Sequence, residues 1–275
     1  MKQRTDPKTW INIEDDLVPL SVDEFPDGSF RFSGDFSVLD FAYPVQITLK
    51  STLPEVIVAI HQVVDAIQEY AGNNALIELH IQTFPDQRAD RVEKDGQSVP
   101  ARVSAKLIGA LNVKEIYIYD AHSQVFVQEL IIRSTAKVIE ISAADCFEWA
   151  RYETATELLP VDFVVAVDKG AKLRAETTAE QEGAAVIYAD KKRVEGKVVG
   201  HEIVGKALVH PTDTIWVVDD LCDGGATFIS IAKLLRETYK FEELNLYVTH
   251  GLFSKGKEEL SKYFDNIIAR FDYDQ

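Results

Sequence analysis

The run Thr214-Ile215-Trp216-Val217-Val218-Asp219-Asp220-Leu221-Cys222-Asp223-Gly224-Gly225-Ala226-Thr227 constrains the fold more than any other stretch. Its β-branched and aromatic opening reads as a buried strand. Beyond it, Phe228, Ile231, Ala232 and Leu235 share one face of a helix. The chain must therefore turn sharply between strand and helix, and adjacent glycines allow that. Backbone amides in such a turn, at a helix N-terminus, point into one concavity and suit an anion. Asp219 and Asp220 stand at the end of the strand beside that concavity. Carboxylates there repel a bare phosphate but accept hydrogen bonds from sugar hydroxyls, so the combination suits a sugar phosphate. An Asp-Asp pair by itself more often marks a solvated turn. The ordered set of apolar strand, three aspartates, two glycines and a threonine reverses that preference. The Gly-Lys-Ser/Thr ending of a P-loop and the G-x-G-x-x-G of a dinucleotide fold are both absent.

The rest of the chain repeats the alternation of strand and helix. Pro26-Asp27-Gly28 marks a turn after Phe25, with strands expected over 29–41 and 43–49. Val56, Ile60, Val63, Val64 and Ile67 lie on one helical face, and Gly72-Asn73-Asn74 ends that helix. Residues 75–81 read as a strand and 83–91 as a loop. Residues 104–111 read as a short helix with Ser104 as N-cap. A strand over 115–119 runs into Asp120-Ala121-His122. In the second half, a strand over 163–167 leads to Asp168-Lys169-Gly170, a helix over 171–182 and a strand over 185–188. A cation-rich loop is expected over 189–200. A strand over 244–248 precedes Thr249-His250-Gly251, and Ile267 and Ile268 belong to a last strand. This alternation predicts an α/β fold with mainly parallel sheets flanked by helices. Ligands then collect beyond the carboxyl ends of the strands. Residues 138–142 read as a transition, which sets two domains, 1–140 and 141–275, with no repeat evident between them.

Composition narrows the functional classes. A net charge of −16 argues against nucleic acid and against an anionic membrane surface. A nucleotide substrate stays compatible, because local cationic clusters override the global sign. The two cysteines, Cys146 and Cys222, suggest no disulfide framework, so a reducing cytoplasm is expected. Residues 1–10 lack an apolar signal core, and no apolar run reaches the length of a membrane span.

Three cationic segments stand out. Arg88-Ala89-Asp90-Arg91 offers guanidinium forks that match phosphate oxygens, although a solvated surface turn has the same composition. His122 either orients a metal-bound triphosphate or serves the structure alone. Lys191-Lys192-Arg193 either reaches over a phosphoryl group during transfer or forms a solvated face.

Taken in order, these segments resemble the ribose-phosphate diphosphokinases, the synthetases of phosphoribosyl diphosphate (PRPP). Asp219, Asp220, Asp223 and Thr227 match the PRPP loop that this family shares with type I phosphoribosyltransferases. Phe25-Pro26-Asp27-Gly28, Phe84-Pro85 through Arg91, Ser104-Ala105-Lys106-Leu107 and Asp120-Ala121-His122 resemble the family's N-terminal half, which a lone phosphoribosyltransferase lacks. Residues 164–174 resemble its Ser-Pro-Asp-x-Gly-Gly segment, 190–193 its flexible catalytic loop, and Thr249-His250-Gly251-Leu252-Phe253 its Thr-His-Gly-x-Phe. The likeness spans residues 22–270.

The resemblance implies tandem phosphoribosyltransferase-like domains, 1–140 for ATP and 141–275 for ribose 5-phosphate. It implies a Mg²⁺-dependent transferase of nucleotide biosynthesis. The diphosphoryl group of ATP passes to the anomeric hydroxyl of ribose 5-phosphate, giving PRPP and AMP. ATP contacts then fall on Phe25, Asp27, Arg88, Asp90, Arg91 and His122. Phe25 and Asp27 would be offered to a neighbouring subunit of a homo-oligomer, a dimer or hexamer. Lys191 and Arg193 become the catalytic cations. Asp168, Asp219, Asp220, Asp223, Gly224, Gly225, Ala226 and Thr227 become the ribose 5-phosphate site. His122 and Asp168 become metal ligands.

Several positions depart from the family pattern. Ser29 stands in place of a glutamate, and Gly224 in place of the threonine of the PRPP loop. Val167 and Ala171 replace a proline and a glycine around Asp168. Two alternatives follow. One is a non-catalytic regulatory subunit, against which the retained Lys191, Arg193, Arg88 and His122 argue. The other is a phosphoribosyltransferase that consumes PRPP, which leaves the arginine loop without a task.

Overall fold

The structure, a computed structural model, describes residues 10–72, 75–154, 159–194 and 197–273. Asn73 and Asn74 of the expected helix stop, and most of the N-terminal segment 1–10, lie outside the described residues. The chain divides into two compact units, Met1–Ile141 and Ser142–Gln275.

The first unit runs β1 (Ile11–Ile13), β2 (Ser21–Glu24), β3 (Phe30–Ser33), β4 (Val45–Lys50), α1 (Glu55–Ala71), β5 (Ile77–Thr83), α2 (Pro100–Ile108), β6 (Glu115–Tyr119), α3 (Gln124–Arg133) and β7 (Lys137–Ile141). Its sheet has the order β1-β4-β5-β6-β7, parallel except for the antiparallel edge strand β1. The apolar face read for α1 is the buried one, and the helix ends at Gly72 with φ +83°. Strand β5 alternates buried Ile77, Leu79, Ile81 and Thr83 with half-buried Glu78, His80 and Gln82, as a period of two dictates.

Three local expectations change. Residues 34–41 are not strand: a 3-10 turn at Phe36–Val38 is capped by the Asp35 carboxylate. Helix α2 begins at Pro100, whose fixed φ and missing N–H suit a first helical position. Ser104 therefore lies inside the helix, where its hydroxyl donates to Asp86 Oδ2 at 3.2 Å instead of capping. The segment read as a transition contains β7, fully paired with β6.

The second unit runs α4 (Ala143–Thr154), β8 (Phe163–Ala166), α5 (Lys172–Glu182), β9 (Ala185–Val194), β10 (Lys197–Val204), β11 (Thr214–Cys222), α6 (Ala226–Thr238), β12 (Glu243–Gly251) and β13 (Asn266–Asp272). The sheet order is β10-β9-β8-β11-β12-β13, parallel except for β10. The crossover through α5 steps from β8 towards β9, and the crossover through α6 steps from β11 the opposite way. Right-handed connections therefore put the two helices on opposite faces. The direction reverses between β8 and β11, and a crevice opens at such a point beyond the strand ends. Trp216 anchors the core below it. It is buried, meets Phe147 edge-on at 5.2 Å, and donates its indole N–H to Pro160 O at 3.0 Å.

The cation-rich segment expected as a loop is an antiparallel ribbon of β9 and β10, apart from residues 195 and 196, which lie outside the described residues. Its lysines break the apolar pattern that signals a strand. At the edge of a sheet charge is tolerated, because one side faces water. Among the described residues no helix is long and apolar enough to cross a membrane.

Candidate active site

At the switch point, the turn after β8 carries Asp168 and β9 carries Lys191. The Lys191 ammonium donates to Asp168 Oδ2 at 2.7 Å, and Lys169 Nζ lies 3.3 Å from Asp190 Oδ2. These two crossed ion pairs and Gly170 line an open cavity of about 240 Å³. Asp168 Oδ1 accepts from the amides of Gly170 and Ala171 at 2.9 and 3.2 Å. Burial by itself would raise the Asp168 carboxyl, but the Lys191 ammonium and those amides outweigh it, and the net shift is downward. Asp168 is thus a carboxylate at neutral pH. The ribbon is fixed from the other side: His201, opposite Lys191 in the ladder, bonds Ser230 Oγ of α6 through Nδ1 at 2.9 Å. Arg193 lies in β9 next to this site, and its side chain is outside the described residues.

Asp219 and Asp220 lie within β11, because the strand continues to Cys222. What keeps two adjacent carboxylates in a strand is Arg174 on α5. Its Nη1 stands 3.3 Å from Asp219 Oδ1 and 3.6 Å from Asp220 Oδ1. Burial pushes the Asp219 carboxyl well above the ordinary range, and the Asp220 charge adds to this while Arg174 opposes it. The sequence reading had not singled out Arg174. Its signal was faint: one arginine on a helix of low apolar content, with no motif to mark the strand it faces.

The turn after β11 enters α6 through Gly225, at φ +74°. A Cβ there would also stand 3.1 Å from Leu260 Cδ2. No side chain caps α6, so its first amides keep their capacity for an anion. Ala226 is exposed and Thr227 half-buried at the opening of the helix. Asp223 is held by the segment after β12: Ser254 Oγ donates to its carboxylate, and Ser254 N to its carbonyl at 3.1 Å. The Thr-His-Gly-x-Phe resemblance also has a steric cause, since a Cβ on Gly251 would stand 2.1 Å from the Phe253 ring.

Cys222, next to these aspartates, is fully buried, and burial pushes its thiol up to about 12. At about pH 8 iodoacetamide is therefore expected to leave Cys222 unmodified in the native protein and to label it rapidly in urea, because only thiolate reacts. Peptide mass spectrometry reads both states. Rapid native labelling would show that the loop opens.

In the first unit, the turn after β5 carries Arg88, Asp90 and Arg91, and the turn after β6 carries His122. These strands are parallel neighbours, so the two turns share one edge. Arg88, Arg91 and His122 are exposed and Asp90 is half-buried. The first turn is anchored by Phe84, stacked on Phe126 at 3.7 Å, and by the Ala89 amide, which donates to Asp86 O at 2.8 Å. Phe25 and Asp27 sit apart from that edge in sequence, at the tip of the β2–β3 hairpin. Phe25 is 44% exposed under the Arg31 guanidinium. Asp27 accepts from Ser29 Oγ at 2.7 Å and Ser29 N at 3.0 Å, which lowers its carboxyl.

Among the described residues no group of three or more His, Cys, Asp or Glu side chains gathers to hold a metal ion. Mg²⁺ does not require one, since it commonly takes one or two carboxylates and completes its shell with substrate phosphates and water. The ionised, accessible Asp168 carboxylate fits that role.

Two parallel-dominated α/β sheets flanked by helices, the second with an acidic glycine turn at its switch point, define a protein of tandem phosphoribosyltransferase-like units. No family model matches the chain. It is 29% identical over 264 residues to the ribose-phosphate pyrophosphokinase of Thermococcus kodakarensis, covering 92% of this chain and 85% of that one. To the Pyrococcus furiosus enzyme of the same name it is 27% identical over 259 residues, with the same coverage. The crystal structure of phosphoribosylpyrophosphate synthetase from Mycobacterium smegmatis superposes with a TM-score of 0.67 at 20% identity, covering 90% of this chain and 78% of that one. Over about nine-tenths of its length the chain is thus similar to ribose-phosphate pyrophosphokinases, at 27–29% identity, and it shares the two-domain fold of the synthetase.

Proposed function

We propose that this protein transfers the diphosphoryl group of ATP to the anomeric hydroxyl of ribose 5-phosphate, releasing AMP and PRPP. The observation that carries the reading is the Lys191–Asp168 pair at the switch point, next to the acidic glycine turn. Ribose hydroxyls are met by Asp219 and Asp220, and the 5-phosphate by the amides from Asp223 to Thr227, including Gly224, Gly225 and Ala226. Arg88, Asp90, Arg91 and His122 bind ATP in the first unit. Phe25 and Asp27 serve the adenine of a neighbouring subunit in a homo-oligomer. The two free, buried cysteines are compatible with a cytoplasmic setting.

In this mechanism the anomeric oxygen bonds to the β-phosphorus, the bond from that phosphorus to the α-phosphate oxygen breaks, and the hydroxyl proton is released. Charge spreads over the transferring oxygens, so catalysis is largely positioning and cationic stabilisation. Sugar hydroxyls that engage Asp168 free the ammonium for phosphoryl oxygens, and Arg193 on the same ribbon adds a second cation. A bound Mg²⁺ would supply neutralisation of phosphate charge. Asp168 and His122 are each proposed as a metal ligand, each in the site of its own unit.

The test is AMP release from ATP and Mg²⁺ with and without ribose 5-phosphate. AMP formed only with the sugar, in step with PRPP, is the expected result. A folded protein that binds ATP and releases no AMP would instead favour a regulatory subunit. PRPP consumption with a nucleobase would favour a phosphoribosyltransferase.

A further inference from the structure

We propose that Lys255 is a specificity-determining ligand for the phosphate of the acceptor sugar, seated over the glycine turn in the room that Gly224 leaves. The inference rests on the reading of that turn as the acceptor site. Three observations on this chain carry it.

The first is stereochemical. Gly225 and Gly251 need to be glycine, one for its positive φ and one for lack of space. Gly224 needs neither. Its φ is ordinary, and the three atoms nearest to a Cβ there all belong to the Lys255 side chain, Cε at 3.4 Å, Cδ at 3.5 Å and Nζ at 3.8 Å. What the missing side chain leaves is a surface along which the lysine stem lies.

The second is the way Lys255 is held. Leu252 and Phe253 amides donate to Cys222 O at 2.9 and 3.1 Å, and Ser254 bonds Asp223 twice. Phe253 at φ +39° and Gly256 at φ +72° close a tight turn around position 255. The Gly256 amide completes it by donating to Phe253 O at 2.6 Å. Lys255 is thus carried by backbone stitched to the glycine turn and is not a loose surface lysine.

The third is charge. Asp219, Asp220 and Asp223 converge on this turn, while Arg174 is engaged by the first two. An incoming phosphate monoester adds about −1.5 to −2 more. Lys257, two residues on, is paired with Asp272 and lies over the Phe253 ring. Lys255 makes no ion pair among the described residues and is exposed. Its ammonium is the cation at hand to balance a dianion in an acidic cradle.

Lys255→Ala is expected to raise the KM for ribose 5-phosphate about tenfold or more, as loss of a charged contact implies, and to leave the KM for ATP unchanged. Lys255→Arg should retain most of the affinity. Gly224→Thr in the Lys255→Ala background should recover part of it by supplying a hydroxyl. Affinity for unphosphorylated ribose should not change, which separates a phosphate contact from general damage. An unchanged KM for ribose 5-phosphate in an active Lys255→Ala enzyme would overturn this inference and leave the proposed reaction standing. If the wild type shows no sugar-dependent AMP release, calorimetric titration with ribose 5-phosphate decides. Weaker binding to Lys255→Ala supports the contact, equal binding rejects it, and no binding to the wild type rejects both readings.

Discussion

Lys191→Ala is expected to lower turnover about a thousandfold, the scale on which a single cation at a transferring phosphoryl group acts. Binding of ATP should be largely kept, because the proposed triphosphate contacts lie in the first unit. The change also leaves Asp168 without its ammonium partner. That carboxyl is lowered in the folded protein, so the pair contributes stability above the unfolded carboxylate range and loses it as pH falls through the folded value. The variant should therefore show its stability deficit near neutrality and lose it in acid. Both groups are about one-third exposed, so screening keeps that deficit small beside the loss of turnover. Single-turnover kinetics with ribose 5-phosphate and nucleotide binding by calorimetry separate the two effects. Near-normal turnover would remove Lys191 from the chemistry.

Arg174→Leu carries the largest expected cost in stability. The guanidinium is 13% exposed and faces two carboxylates that are 18% and 7% exposed. Removing one partner of a buried charged cluster leaves the rest uncompensated and costs about 3–5 kcal/mol. The pH dependence gives the signature. Asp219 already holds its proton more tightly in the folded state than when unfolded. Stability from such a group falls as pH rises from the ordinary carboxylate value to the raised folded one. Without Arg174 the folded value rises further and that window widens upward. Urea unfolding should thus show a larger deficit at about pH 8 than at about pH 5, where protonation relieves the pair. A deficit independent of pH would assign the arginine to packing alone.

The strand–turn–helix at Thr214 to Thr227 was legible because each part has a local cause. An apolar β-branched run must be buried, two glycines permit the turn, and the spacing of Phe228, Ile231, Ala232 and Leu235 defines one helical face. Helix α1 and strand β6 were legible for the same reason. Ser104 misled because a hydroxyl before an apolar run resembles a cap, while Pro100 four residues earlier had already started the helix. The β9–β10 ribbon was hidden because its cations erase the alternation that marks a strand, and its partner is known only once the edge exists.

The sequence by itself determined that this chain alternates strands and helices and that an acidic, glycine-rich turn joins a buried strand to an amphipathic helix. These follow from local chemistry and short-range periodicity. Only the tertiary structure decided which charges meet. Asp168 and Lys191 are separated by 23 residues, and Arg174 and Asp219 by 45. Lys255 reaches Gly224 only because β12 lies beside β11 and returns the chain over the turn. Pairing across such separations is set by strand order and crossover handedness, which no local spacing encodes.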